Sequence, residues 1–386
     1  GHKITGSIGQ SSVHDLLEGA DFSPTVRAQI PAALASAAKG DNAPIARLIV
    51  DQPATGDQIQ TPQPPAQAAD SDALFFATEC EETAFPWGRT DPLPDRRGEL
   101  DAALSAAGPS AFTPFDLATA AVTVSSRACL TWPDGSPDSP LVGGPAPDVP
   151  VLLLEGADDT RTPIANAEAT AALFPQAQLV TVPETGHSVV GTDLGLCASN
   201  AVRNFLTGVP AAACPAQQRR FPPSPVPPTR FASVSPARGL HGKPGRTAGA
   251  MIDTLNDAVL QATGYALNGA PIAIGGLRGG FMRGTLAGSV VTLKLTRLQY
   301  VPGVQLAGTA KIDLSGQSAA SARIRISGRS AAHGTLVLRS GAITGTLDGK
   351  KVHRPALSAS AAPAIVAPRL PQGVLDRVRD GARLRR

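Results

Sequence analysis

Two short, continuously apolar runs constrain this chain more than any other feature. They are Val149-Pro150-Val151-Leu152-Leu153-Leu154 and Gln178-Leu179-Val180-Thr181-Val182. Neither shows the alternation of a strand with one wet face, which is how parallel strands buried on both faces read. A helical pattern at 164–174 separates them, and another helix is expected at 196–206. Strand, helix, strand, helix is the logic of an α/β layer. Each run opens into a polar loop: Glu155-Gly156-Ala157-Asp158-Asp159 after the first, Pro183-Glu184-Thr185-Gly186-His187 after the second.

Those loops hold a carboxylate and an imidazole 28 residues apart, Asp159 and His187. A hydrolytic triad needs a carboxylate to fix the imidazole tautomer and stabilise its cation. It needs both at the C-terminal edge of a parallel sheet. In the α/β-hydrolase order, Ser precedes Asp, which precedes His. Asp159 is the expected acid, with Asp158 the alternative, and His187 the expected base. A blander account has Asp159 or Thr160 capping the helix that starts near Pro163, and His187 as a surface residue. Two such residues, each directly after an apolar strand, favour the chemical reading.

Charge divides the chain. Residues 1–214 carry 10 basic and 25 acidic side chains, a net of −15, and residues 215–386 carry 24 and 6, a net of +18. Such a split suggests two domains with different partners, or two that attract one another. All four cysteines, Cys80, Cys129, Cys197 and Cys214, lie in the acidic half, with no CxxC pair to suggest zinc. They suit two disulfides of an exported protein, with Cys80–Cys129 and Cys197–Cys214 the favoured pairing; four buried free thiols are the other reading. No run of 18 apolar residues exists to cross a membrane, and Gly1-His2-Lys3 begins no signal-peptide pattern.

Short helices are expected within 13–50, with Ser23 as N-cap, Pro24 at the first helical position, and Pro31 splitting the pattern of Val26, Ile30 and Leu34. Residues 54–73 read as a polar loop, and 99–107 as a helix. Residues 215–246 read as a stiff Pro-rich linker. Residues 247–263 form one amphipathic helix with a stripe of Ile252, Leu255, Val259 and Ala262. Alternating strands follow, as in Val291/Leu293/Leu295 and Ile324/Ile326, and predict an antiparallel sheet or small barrel up to residue 354. Residues 355–386 read as a mostly disordered basic tail.

The stretch from Asp21 to Cys214 resembles the tripeptidyl-aminopeptidase-like branch of the prolyl-aminopeptidase family of serine hydrolases. Four motifs carry the resemblance: Cys80-Glu81-Glu82-Thr83-x-Phe85-Pro86-Trp87, Cys129-Leu130-Thr131-Trp132-Pro133, the Asp159 loop with Thr162-Pro163, and Gly186-His187-Ser188-Val189. The fold class it implies is α/β: the C-terminal portion of an α/β-hydrolase with a helical cap at about 13–140 and final strands and helix at 148–208, followed by a mostly antiparallel β domain. It implies release of short peptides from a free N-terminus, or hydrolysis of similar esters and amides, with no cofactor. A free ammonium needs carboxylate partners, and Glu81 and Glu82 are the candidates.

One departure matters: no Gly-x-Ser-x-Gly occurs in the chain. The expected explanation is a truncated product, with a second chain supplying the missing part as the alternative; without serine and oxyanion hole this chain alone is inactive. The leading reading is an exported or cell-envelope serine peptidase. An esterase or lipase, and a non-catalytic hydrolase-derived scaffold, are the alternatives. The basic region suits an anionic partner such as a cell-envelope polymer; nucleic acid ranks low because stacking aromatics are nearly absent. His241, His333 and His353 are too scattered for a metal site.

Overall fold

The computed structural model describes residues 7–50, 71–88, 90–120, 128–133, 145–216, 219–356, 365 and 367–384. Most of the expected 54–73 loop lies outside them.

The α/β layer forms as the apolar runs require. Strands β1 (Pro150–Gly156) and β2 (Gln176–Val182) pair in parallel, with Leu153 opposite Leu179 and Gly156 opposite Val182. The helix Ile164–Ala171 connects them, and Cys197–Leu206 follows. One face, with Leu152, Leu154, Val180 and Val182, packs on Ala198 and Cys214. The expectation of strands buried on both faces is corrected for β1: Val151 to Leu154 are only half-buried. Among the described residues this sheet stops at two strands, so the second edge of β1 is unpaired. Such an edge presents free N–H and C=O groups in a row.

The helical part divides into two small cores. Pro31 sits in the first turn of its helix, and the expected split falls before it, between Pro24–Arg27 and Ile30–Ala37. These helices, with Gln10–Ala20 and Ala43–Val50, bury Leu16, Val26, Ile30, Ile45 and Leu48. The second core gathers Trp87, Leu100 and the Cys80–Cys129 disulfide, with Phe85 stacked on Trp87 at 4.6 Å. The other disulfide joins Cys197 to Cys214, so both bonds follow the favoured pairing.

Among the described residues the basic half is an open antiparallel meander of eight strands in sequential order: β3 (Ala273–Gly275), β4 (Gly279–Ala287), β5 (Val290–Gln299), β6 (Gln305–Asp313), β7 (Ser321–Ser327), β8 (Gly334–Arg339), β9 (Ala342–Leu347) and β10 (Lys350–Arg354). It is a sheet, not a closed barrel. Its alternating side chains turn Leu293, Ile324, Leu336 and Ile343 onto one buried face. A 26-residue helix, Gly242–Leu267, lies against that face with Met251, Leu255 and Ala258 fully covered. The helix starts five residues before the sequence pattern suggests, because Pro244 is tolerated in a first turn.

Two further expectations are corrected. The Pro-rich segment is no free linker: Ser224 N donates to Ala28 O at 2.7 Å, and Val234 and Ala237 enter the main core. The tail after 354 is not all disordered, since Gln372–Leu384 is helical and buries Val374, Leu375 and Val378 in the same core. Three apolar residues at helical spacing are too few to stand out against so many arginines.

The halves dock through specific pairs. Arg47 makes two hydrogen bonds to Asp257, at 2.7 and 2.8 Å, with both side chains 10% exposed. Arg278 clasps Asp41 in the same way. The first pair runs against the net charges, with its cation in the acidic half. The second runs with them, so local pairing and the charge split both act at the interface.

Near this junction, burial pushes the Asp253 carboxyl up to about 6. A carboxyl raised above its unfolded value favours folding only while protonated, so its contribution is lost as pH rises through about 6. Asp253→Asn is expected to raise stability by roughly 1–2 kcal/mol at pH 8, after allowance for solvent screening, and to change little at pH 4. Urea melts of parent and variant at the two pH values check this.

Candidate active site

The C-terminal ends of β1 and β2 are adjacent, so the loops leaving them must meet. Asp158 N donates to Thr185 O at 2.8 Å, and Ala157 N to Val182 O at 3.0 Å. The approach is close enough to require glycine. A Cβ on Gly156 would overlap the carbonyl oxygens of Thr185 and Gly186, and one on Gly186 would overlap Asp21 O. Gly156→Ala is expected to cost about 1–3 kcal/mol by overpacking. It should also remove the downfield NMR signal of the hydrogen-bonded His187 Nδ1 proton, because the two loops are forced apart.

The structure brings Asp159 and His187 together. Asp159 Oδ2 lies 3.0 Å from His187 Nδ1, with the carboxylate 1% exposed and the imidazole 34% exposed. A carboxylate only accepts, so Nδ1 carries a proton, and in the neutral imidazole Nε2 is the nitrogen with the lone pair. Asp159 is held from three other directions. Arg161 N and Thr162 N donate to Oδ1 at 2.9 and 3.0 Å, and Thr162 Oγ1 donates to Oδ2 at 2.8 Å. Burial works against the carboxylate's charge, but the hydrogen bonds from Thr162, His187 and Arg161 outweigh it and hold its pKa below the ordinary value. Its stabilisation is therefore present at neutral pH and lost in acid, as pH falls through that depressed value.

Asp158, the alternative acid, is occupied elsewhere. Arg27 lies 3.7 Å from it and Arg219 3.6 Å. Arg219 also reaches Glu184 at 3.2 Å, so one side chain of the Pro-rich segment ties both loops together. Phe22 meets the imidazole edge-on at 5.4 Å, and the guanidinium of Arg161 covers the Phe22 ring. These contacts were not legible as site residues, because Phe22 and Arg219 lie far from the motifs in sequence.

Glu155 was also missed. It lies next to last in the half-buried strand β1, is itself 5% exposed, and leaves Oε1 without a hydrogen-bond partner. Burial first, and the nearby Asp159 second, push its carboxyl upward. The strand runs on past the apolar run to Gly156, which draws in a glutamate that the sequence places in the loop.

Glu81 and Glu82 end the helix Asp72–Glu82 beside the core of Cys80, Trp87 and Leu100. Glu81 Oε1 accepts from Trp132 Nε1 at 2.8 Å, and Glu82 is exposed. The structure thus joins Glu81 to the Cys129-Leu130-Thr131-Trp132-Pro133 motif.

No curated protein and no solved structure matches the chain. Residues 114–213, about a quarter of its length, match the family described as TAP-like protein. The match takes in β1, β2 and both loops of the Asp159–His187 pair, and it supports an α/β-hydrolase family for this part of the chain.

Proposed function

We propose that this chain supplies the acid and base of a serine-type α/β-hydrolase. The observation that carries this is the Asp159–His187 hydrogen bond at the C-terminal edge of parallel strands. In that reading Asp159 fixes the imidazole tautomer, and His187 Nε2 takes the proton of a serine hydroxyl and returns it to the leaving group. The serine and its oxyanion donors come from a segment outside the described residues. The unpaired edge of β1 is the place where such a segment would extend the sheet.

The substrate class we propose is a short peptide with a free N-terminus. Glu81 and Glu82 stand at a helix C-terminus, where the backbone already favours a cation. The protein is proposed to act outside the cytoplasm. Two disulfides fit an oxidising compartment, and no helix among the described residues is long and apolar enough to cross a membrane.

The test uses the protein purified from its native gene and host, assayed on tripeptide nitroanilides with free and acetylated N-termini and on a nitrophenyl ester. Preference for the free amine supports the full reading. Ester cleavage alone removes the peptidase assignment and keeps the hydrolase. No turnover of any of the three removes both.

A further inference from the structure

The meander has a second face, turned away from the Gly242–Leu267 helix, on which lysines and arginines stand among threonines. Register alignment places Arg283, Lys294, Thr309 and Arg323 in one row across β4 to β7. The row continues through Val337 and Thr344 to His353 on β10. Seven strands at ~4.8 Å spacing make this row about 29 Å long. Beside it runs a second row, Arg325, Thr335, Thr346 and Lys351. Lys311 and Arg339 border a shallow open depression that also takes in Arg323 and Thr344.

Among the described residues no carboxylate pairs with these cations. The one acidic residue in strands β4 to β10, Asp313, is 7% exposed and accepts from Ser315 and Ser318 in its own turn. Lys294, Lys311, Arg323, Arg325 and Lys351 are exposed, and among the described residues none forms an ion pair. The acidic half of the chain docks elsewhere, against the helix side through Arg47–Asp257 and at Arg278–Asp41. Cations gathered on one face at a cost in self-repulsion point to an anionic partner.

We propose that this face binds an extended acidic polysaccharide. Thr309, Thr335, Thr344 and Thr346 lie among the cations, and hydroxyls that donate and accept suit sugar hydroxyls between carboxylates. Nucleic acid fits less well. Of Phe, Tyr and Trp only Phe281 stands on the described face, beneath Arg283, with His353 at the far end of the row, while Tyr300 is buried. Successive bases would lack stacking platforms. A membrane surface fits less well too, since the face presents no large exposed apolar side chain to insert. The inference does not depend on the hydrolase reading.

The test is titration of the full chain with polygalacturonate at low and high salt, using neutral dextran, single-stranded DNA and phosphatidylglycerol vesicles as competing ligands. The triple variant Lys294→Ala/Arg323→Ala/Arg325→Ala changes exposed residues only, and an unchanged melting curve verifies its fold. Expected are tighter binding to polygalacturonate than to the other ligands, weakening with salt, and at least a tenfold loss in the triple variant. Arg230→Ala/Arg238→Ala, which removes two exposed cations of the Pro-rich segment, should bind as the parent does. Equal binding by parent and triple variant overturns the proposal, as does tighter binding to DNA or vesicles.

Discussion

In the protein expressed from its native gene and host, Asp159→Asn is expected to lower the proposed hydrolytic turnover about 10⁴-fold, with KM nearly unchanged. The substitution keeps the size of the side chain. It also keeps Oδ1 to accept from Arg161 N and Thr162 N, although the Thr162 hydroxyl loses its acceptor at the other position. What changes is the partner of His187 Nδ1, 3.0 Å away. An amide NH₂ turned toward that nitrogen holds the imidazole in the opposite tautomer, and Nε2 then carries a proton where a lone pair is needed. An amide also offers no charge to stabilise the imidazolium. Asp158→Asn is the matched control. Its carboxylate pairs with Arg27 and Arg219, so turnover should fall far less. Steady-state kinetics of the two variants check the assignment of the acid, and a larger loss for Asp158→Asn would reverse it.

Asp257→Ala is expected to destabilise the fold by about 3–5 kcal/mol, because it leaves the buried Arg47 guanidinium without its charged partner. Replacing both partners, as Arg47→Met/Asp257→Leu, should recover most of that loss, since neither charge then remains buried. The single variant should unfold the junction between the small helices and the Gly242–Leu267 helix first. Hydrogen exchange would show early loss of protection at Ile45 and Leu48, which belong to the helical core carrying Arg47. If Asp257→Ala melts as the parent does, the pair contributes nothing and other contacts dock the halves.

The sequence made the site legible where chemistry and periodicity coincided. Asp159 and His187 each follow an apolar run, and a loop after a strand can point only to one edge of a sheet. The alternation of Leu293, Ile324 and Leu336 likewise revealed the inner face of the meander. Contacts made across long separations were not legible. Arg47 and Asp257 are ordinary helix residues until folding sets them against each other over 210 positions. The same holds for Arg377 in the last helix, which donates to Val190 O and Asp193 O just beyond His187 and so props that loop. The tail was misread because its basic composition masks a three-residue apolar stripe. The exposure of β1 was misread because an apolar run reports what a strand can bury, not what is present to cover it.

The most direct test of the central claim is fluorophosphonate labelling of the protein from its native gene and host, followed in parallel with its His187→Ala variant. An activated serine attacks the phosphorus only when a base removes its proton. The account predicts a single labelled serine in the parent and a rate at least 10³-fold lower in the variant. Equal labelling of the two, or no labelled serine in the parent, would contradict it.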